Sequence, residues 1–162
     1  MLESKTEIAP TRPDEAEDIL KITATVGVFS DGEIETVREL LDGYYDGPIE
    51  SGYYFLSYRE DDRVLGYVCW GPRALSDGGY DLYWICVSRE VQGKGAGSAL
   101  MQRFEQEARQ RSGIWLIIET SSTPHYAPAR RLYERSGYEK SMELADFYHP
   151  GDNLLVYTRR LK

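Results

Sequence analysis

The sequence has little cysteine, little histidine and no long apolar run. Its two cysteines, Cys69 and Cys86, exclude a disulfide framework and lie in apolar segments typical of buried thiols. No segment is apolar over the length that spans a bilayer, and residues 1–18 lack the apolar stretch of a secretory signal. We therefore expect a cytoplasmic protein that does not contact membranes. With two histidines and no ligand spacing, the sequence predicts no metal site.

Basic residues are also scarce. The chain has 19 Lys and Arg against 27 Asp and Glu, a net charge of -8. A nucleic-acid backbone is therefore an unfavourable partner, and we expect no nucleic-acid binding. The negative net charge favours a cationic substrate. The 13 tyrosines favour strands and also suit a pocket that is apolar but can form hydrogen bonds.

The order of predicted elements indicates a single domain over residues 1–162, of mixed α/β (α+β) class. The chain has no repeat, linker or low-complexity tract and is long enough for a hydrophobic core. Short turn signals between the middle strands favour an antiparallel meander. The predicted elements are a strand at 6–11, a helix at 13–24, a helix that Ser30 or Asp31 caps and Gly43 ends, strands at 52–58, 63–70 and 80–87, a helix at 98–111, a strand at 114–119, a helix at 127–136, and strands at 138–147 and 153–160.

A glycine-rich loop joins a predicted strand to a predicted helix at residues 87–101, VSREVQGKGAGSALM. Free N–H groups at a helix start attract anions, and glycines let a phosphate approach, so we predict a phosphate or pyrophosphate site. The loop is not a Walker P-loop, because Lys94 is followed by Gly95. The dinucleotide fingerprint fits at Gly93 and Gly95 but has Ser98 in third place, and the antiparallel meander argues against it.

Two motifs resemble those of the GNAT N-acetyltransferase family. Residues 92–97, QGKGAG, resemble the pattern Q/R-x-x-G-x-G/A of the family's coenzyme A loop. Residues 129–138, ARRLYERSGY, resemble the second signature, A-x-x-L-Y-E-x-x-G-F/Y. The motifs have the family's order and spacing, and the element order is similar to the GNAT fold over the whole chain. The resemblance implies an acyl-CoA N-acyltransferase fold, with a mostly antiparallel central sheet splayed between strands 4 and 5 and flanked by helices.

The resemblance also implies the activity and the residues that carry it. The activity is transfer of an acetyl group from acetyl-CoA to a primary amine, by direct attack in a ternary complex. The backbone of Ile85, Cys86 and Val87 would contact the pantetheine arm, and an N–H there would polarise the thioester carbonyl. Tyr133 matches the tyrosine that protonates the coenzyme A thiolate, and a phenol pKa of about 10 suits that transfer. The pyrophosphate would be held by Gln92, Gly93, Lys94, Gly95, Ala96, Gly97 and Ser98.

The general base has three candidates. Asp81 falls where histone-type members of the family carry a glutamate that takes the amine proton, although it could equally end a turn. Glu119, at the end of the next predicted strand, is the competing carboxylate, and a water chain is the third choice. The second signature often has Asn three residues before its Ala, whereas this chain has Tyr126.

The acceptor amine stays open as well, among a free amino acid, a polyamine, an aminoglycoside-like compound and a protein N-terminus. So does the oligomeric state, a homodimer included. A non-catalytic acyl-CoA-binding sensor on the same fold is the alternative function, and a nucleotide-binding oxidoreductase is disfavoured by the meander. The pocket for the acceptor should come from the first two helices, the meander and the last hairpin, with candidates Phe29, Glu33, Tyr53, Tyr54, Trp70 and Tyr148.

Overall fold

The structure, a computed structural model, describes residues 4–162. The predicted mixed α/β class is confirmed, and no helix in that range is both long and apolar enough to cross a membrane. The elements in chain order are β1 (Thr6–Pro10), a short 3-10 helix (Pro13–Glu15), α1 (Ala16–Thr25), α2 (Asp31–Asp46), α3 (Pro48–Ser51), β2 (Tyr54–Glu60), β3 (Arg63–Pro72), β4 (Gly79–Val87), α4 (Ala96–Gln110), β5 (Trp115–Ser121), a second 3-10 helix (Pro124–Tyr126), α5 (Ala127–Arg135), β6 (Glu139–His149) and β7 (Asp152–Arg160).

The second helix is longer than predicted. Ser30 caps α2 as expected, accepting a hydrogen bond from the N–H of Glu33 at 3.2 Å. The prediction that Gly43 ends the helix is wrong, because α2 continues to Asp46. Gly43 serves close packing instead, since a Cβ there would lie 3.3 Å from the Cβ of Ser51. The four-residue helix α3 was not predicted, because it is too short to show a helical period.

The seven strands form one sheet in the order β1-β2-β3-β4-β5-β7-β6. Neighbouring strands are antiparallel except β4 and β5, which are parallel. The pairing of β4 with β5 ends at Leu82 and Ile118, although β4 runs on to Val87 and β5 to Ser121. The predicted sheet, mostly antiparallel and splayed between strands 4 and 5, is therefore confirmed.

A β-bulge lies where the two strands part. Cys69 of β3 pairs with Trp84, but the next residue, Trp70, pairs with Leu82, so Tyr83 is an extra residue in β4. A bulge bends its strand and takes a residue out of the hydrogen-bonded ladder. The bulge thus turns the second half of β4 at the point where it leaves β5.

Apolar residues are buried on both faces of the sheet. Helices α4 and α5 cover one face, where Leu100, Phe104 and Tyr133 belong to one buried cluster. Helices α1 and α2 cover the other face, with Ile19 and Val37 in a second cluster. With helices on both faces, the inner strands have no polar side, and eight of the ten residues of β3 are buried.

A buried ion pair ties the N-terminal segment to β2. Arg59 is 1% exposed and Glu15 is 5% exposed. Nη2 of Arg59 donates to Oε2 of Glu15 at 2.8 Å and to the carbonyl oxygen of Pro10 at 3.0 Å, and Oγ of Ser57 donates to the same carboxylate oxygen at 3.0 Å. Burial alone would raise the pKa of Glu15, but these hydrogen bonds outweigh it and lower the pKa. The stability that this carboxylate contributes is therefore present above the ordinary Glu pKa of about 4.3 and is lost as the pH falls through the lower folded-state value.

We expect Arg59→Leu to lower the free energy of unfolding by about 3–5 kcal/mol, because the carboxylate of Glu15 is left buried without its counter-charge. Urea denaturation of the wild type and the variant measures the difference. Arg63→Leu is the matched control, since Arg63 pairs with Glu90 at 3.1 Å between two exposed side chains. It should cost less than about 1 kcal/mol. Equal losses in the two variants would contradict the importance of the buried pair.

Candidate active site

A cavity of about 1110 Å³ opens where β4 and β5 diverge. Its lining comes from the second half of β4, the loop that follows, the start of α4, the end of β5, α5, the α1–α2 connection and the β6–β7 hairpin. Pockets for small ligands usually measure roughly 300–1,000 Å³, so this one has room for an extended ligand and a second molecule beside it.

Most of the predicted donor-binding residues meet in this cavity. Two of them do not line it. Lys94 is exposed and its N–H donates to the carbonyl oxygen of Val91 at 3.2 Å, while Ala96 is 1% exposed and packs into the core. The predicted residues that do line the cavity are Ile85, Cys86, Val87, Gln92, Gly93, Gly95, Gly97 and Ser98.

The glycine loop presents free backbone N–H groups at the start of α4. Gly93 and Gly95 have φ values of 74° and 90°, a left-handed conformation that glycine adopts without strain. Gly95 is the N-cap of α4, and no side chain caps this end. The first intrahelical hydrogen bond runs from the N–H of Ala99 to the carbonyl oxygen of Gly95, so the N–H groups of residues 96–98 precede it. With the helix dipole behind them, these groups are suited to bind an anion.

Tyr133 of α5 lies in the wall of the cavity. It is 5% exposed, and its ring packs beside Tyr138 and Tyr157 at centroid distances of 6.5 and 5.9 Å. Within residues 4–162 no hydrogen-bond partner meets its hydroxyl. Burial raises the pKa of Tyr133 above its ordinary value, so the phenol keeps its proton at neutral pH. Tyr133 is therefore a protonated phenol in the wall of the cavity, with no hydrogen-bond partner for its hydroxyl among residues 4–162.

The position of α5 depends on a close approach to α4. A Cβ on Gly97 would lie 3.0 Å from Cδ2 of Leu132, so only glycine lets Leu132 pack there without a shift. The second motif is thereby placed directly beside the glycine loop. The two sequence motifs, separated in the chain by residues 98–128, both contribute to the lining of the cavity.

Two carboxylates lie near the parting of β4 and β5, and Arg73 contacts both. Nη1 of Arg73 donates to Oδ1 of Asp81 at 2.8 Å and lies 3.5 Å from Oε1 of Glu119. Asp81 is 7% exposed and does not line the cavity, and burial raises its pKa although Arg73 acts in the opposite direction. Glu119 is 49% exposed and does line it. The carboxylate predicted first as the base thus faces an arginine, and the competing one faces the cavity.

The two cysteines are free and buried, as the sequence predicts. Cys86 lines the cavity, and burial raises its pKa to about 12. A thiol with that pKa is protonated at neutral pH, and the thiolate is the reactive form. Cys86 is therefore not suited to act as a nucleophile.

One wall of the cavity is aromatic and acidic. Phe29 packs against Trp84 and Tyr126 at centroid distances of 5.4 and 6.3 Å. The hydroxyl of Tyr126, which stands where the second signature often has Asn, donates to Oε1 of Glu33 at 3.2 Å. This hydrogen bond joins α2 to the segment before α5.

The predicted acceptor candidates divide by sheet face. Phe29, Glu33 and Tyr148 line the cavity. Tyr53 does not line it but packs against Tyr83 at 5.3 Å. Tyr54 and Trp70 are corrections: they stack on each other at 4.8 Å in the core under α4, because strand alternation points them to the other face.

Two residues of this wall were missed from the sequence. Trp84 lies beside the bulge of β4, and no periodicity of the chain marks a bulge in advance. Asp152 lies outside the strands predicted at 138–147 and 153–160, and only the folded hairpin brings it to the cavity. Among residues 4–162, no three His, Cys, Asp or Glu side chains are grouped to hold a metal ion.

Comparison with known proteins agrees with this arrangement. A family model described as the acetyltransferase (GNAT) family matches residues 18–138. A solved acetyltransferase structure of the GNAT family from Desulfovibrio desulfuricans is 33% identical, with a TM-score of 0.94 over 98% of this chain and 100% of that chain. The uncharacterized N-acetyltransferase YsnE of Bacillus subtilis is 29% identical over 107 residues, 66% of this chain and 69% of that protein. The structure of yncA from Salmonella typhimurium with its cofactor acetyl-CoA is 19% identical, with a TM-score of 0.72 over 97% of this chain and 94% of that chain.

Proposed function

Because this chain belongs to the acetyltransferase (GNAT) family, we propose that it transfers the acetyl group of acetyl-CoA to a primary amine. The observation that carries the proposal is the cavity between β4 and β5, which connects the glycine loop to Tyr133 and to an acidic wall. The related fold of yncA was solved with acetyl-CoA, which supports the same donor here. We take residues 1–162 as one acetyltransferase domain.

The donor would be held by backbone groups at both ends. The N–H groups of residues 96–98 would receive the pyrophosphate, and Gln92 supports the loop by donating from Nε2 to the carbonyl oxygen of Val87 at 3.0 Å. The pantetheine arm would lie along residues 83–87, where β4 has left β5, and its amides would pair with that free edge as an added strand does. The thioester would then reach the bulge at Tyr83.

The chemistry would proceed by direct attack of the amine on the thioester carbon. The C–N bond forms, the C–S bond breaks, and an N–H in the bulged part of β4 stabilises the oxyanion. Tyr133 gives its proton to the departing thiolate, and a carboxylate or water takes the proton of the amine. The raised pKa of Cys86 supports direct attack over an acyl-cysteine intermediate. The exposure of Glu119 to the cavity supports Glu119 over Asp81 as the carboxylate that serves as base.

We expect Tyr133→Phe to lower kcat about 100-fold, because the thiolate loses its proton donor. The dissociation constant for acetyl-CoA should stay within about twofold, since the backbone groups that hold the donor are unchanged. Release of free thiol during amine acetylation measures kcat, and calorimetry measures binding.

Tyr157→Phe is the control for this experiment. Its ring packs against Tyr133 at 5.9 Å, but its hydroxyl donates to Glu134 outside the cavity. It should retain kcat. Full activity in Tyr133→Phe would show that Tyr133 is not the general acid. Binding of acetyl-CoA by the wild type without turnover of any amine would favour the non-catalytic sensor instead.

The variants Glu119→Gln and Asp81→Asn test which of the two carboxylates is the general base. If Glu119 is the base, Glu119→Gln should lower kcat about 100-fold and remove the rise of kcat on the acid side of the pH profile. Asp81→Asn leaves the carboxylate of Glu119 in the cavity unchanged. It should change kcat less than about fivefold, because it affects Glu119 only through the shared Arg73. The reverse ranking would restore Asp81 as the base, and two small effects would assign the step to water.

The glycine loop is tested by Gly95→Ala with Gly52→Ala as its match. Both glycines have left-handed φ values, 90° and 76°, and nothing within 4 Å of an added Cβ. Each alanine should therefore cost about 1–2 kcal/mol of stability. Gly95→Ala alone should raise the dissociation constant for acetyl-CoA, by about tenfold, because it disturbs the N–H groups at the start of α4. Equal binding by the two variants would contradict the assignment of the loop.

A further inference from the structure

The lining of the cavity carries two arginines and three carboxylates. Arg89 is held at the α1–α2 connection, where its Nη2 donates to the carbonyl oxygen of Val26 at 3.1 Å, and Arg135 shares with Ser98 the lining of this cavity and of a neighbouring one of about 370 Å³. The acidic residues of the lining come from three elements. They are Glu33 at the start of α2, Glu119 on β5 and Asp152 at the start of β7.

Three separate elements bring these carboxylates to the lining that also holds Tyr126 and Tyr148. The hydroxyl of Tyr126 donates to Oε1 of Glu33 at 3.2 Å, and Oγ of Ser121, itself in the lining, donates to Oδ1 of Asp152. Burial raises the pKa of Tyr126 and of Tyr148; Asp152 raises both further, together with Glu33 at Tyr126 and Glu119 at Tyr148. The three carboxylates therefore line one cavity.

Two of the three carboxylates keep their charge uncompensated. Glu119 shares Arg73 with Asp81. For Glu33 and Asp152, no Lys, Arg or His nitrogen among residues 4–162 lies within 4.0 Å of a carboxylate oxygen. Their contacts are neutral donors: the N–H of Ser30 at 2.7 Å and the hydroxyl of Tyr126 on Glu33, and Oγ of Ser121 at 2.5 Å on Asp152. Neutral donors hold a carboxylate in place without cancelling its charge.

The surroundings favour a bound cation over bulk water. Phe29, Trp84 and Tyr148 line the same wall, and aromatic faces attract ammonium groups. A cleft lined by charge of one sign with apolar walls concentrates its field. The cavity is a ligand site on independent grounds, since Nε1 of Trp84, a residue of its lining, is buried without a hydrogen-bond partner among residues 4–162. The net charge of -8 adds attraction at longer range.

We propose that the acceptor is a small polyamine: one nitrogen attacks the thioester, and a second, protonated nitrogen binds between Glu33 and Asp152. The attacking nitrogen must be neutral, whereas an alkylammonium group has a pKa of about 10 and keeps its charge at neutral pH. An acceptor with one amino group would leave the acidic wall unpaired. The inference rests on the proposed acetyl transfer, because it specifies the substrate class of that same cavity.

The test compares amines that differ only in the second charge. Putrescine, cadaverine and hexamethylenediamine are assayed with acetyl-CoA against butylamine, pentylamine and hexylamine, with thiol release as the readout and mass spectrometry of the product. For at least one chain length, kcat/KM should be at least about tenfold higher for the diamine, the factor that about 1.4 kcal/mol of attraction produces. Kanamycin is a further arm: its acetylation without a preference for diamines would indicate a bulky acceptor and would overturn the small polyamine.

Glu33→Gln and Asp152→Asn then assign the preference to the acidic wall. Gln at position 33 retains the capping box of α2, so the helix start is preserved. In each variant the diamine-to-monoamine ratio of kcat/KM should fall at least about threefold, and in the double variant toward one. Glu35→Gln is the matched control: Glu35 lies on the same helix, pairs with Arg38 at 3.5 Å and is outside the cavity lining. Its ratio should equal that of the wild type.

The outcomes separate the two levels of the proposal. Equal kcat/KM for diamines and matched monoamines, or a preference that survives in the double variant, would overturn the polyamine assignment and leave acetyl transfer intact. Acetyl-CoA binding without acetylation of any amine or of kanamycin would overturn both. A diamine preference that disappears in Glu33→Gln and Asp152→Asn, but not in Glu35→Gln, is the result that supports it.

Discussion

The site exists because β4 and β5 stop pairing while both are still strands. In the interior of a sheet, N–H and C=O groups without partners are costly, so an unpaired segment such as residues 83–87 calls for another partner. The bulge at Tyr83 bends β4 away from β5, and the cavity lies in the gap between the two strands. A ligand with its own amide groups can complete the broken ladder, which is the physical reason for the proposed placement of the pantetheine arm.

Packing on both faces of the sheet holds the gap open. On one face α4 and α5 approach closely at Gly97 and Leu132, which sets the glycine loop beside Tyr133. On the other face α1 and α2 pack on β2 and β3, and the start of α2 carries Glu33 to the acidic wall. The ion pair of Arg59 with Glu15 lies toward the far edge of the sheet, where it fastens the N-terminal segment without contributing to the cavity lining. Packing on both faces therefore fixes the elements that surround the gap.

The sequence predicted the family and the fold, because the signals for both are local. The glycines of residues 92–97 and the motif at 129–138 need only their own short segments to be recognised, and the element order then predicted the sheet with its splay. Gly43 was misread because a glycine that permits close packing looks the same in sequence as one that ends a helix. Tyr54 and Trp70 were misplaced because the face of a strand residue depends on register and bulges. The acidic wall joins α2, β5 and β7, which are far apart in the chain, and so had no local signal.

A crystal structure with bound coenzyme A tests the central claim most directly, namely that the gap between β4 and β5 holds the donor. We expect the pantetheine amides to hydrogen-bond the backbone of residues 85–87, the pyrophosphate to contact the N–H groups of residues 96–98, and the sulfur to lie within about 4 Å of the hydroxyl of Tyr133. A pantetheine arm bound elsewhere, with β4 and β5 bridged by the protein alone and the sulfur far from Tyr133, would contradict it.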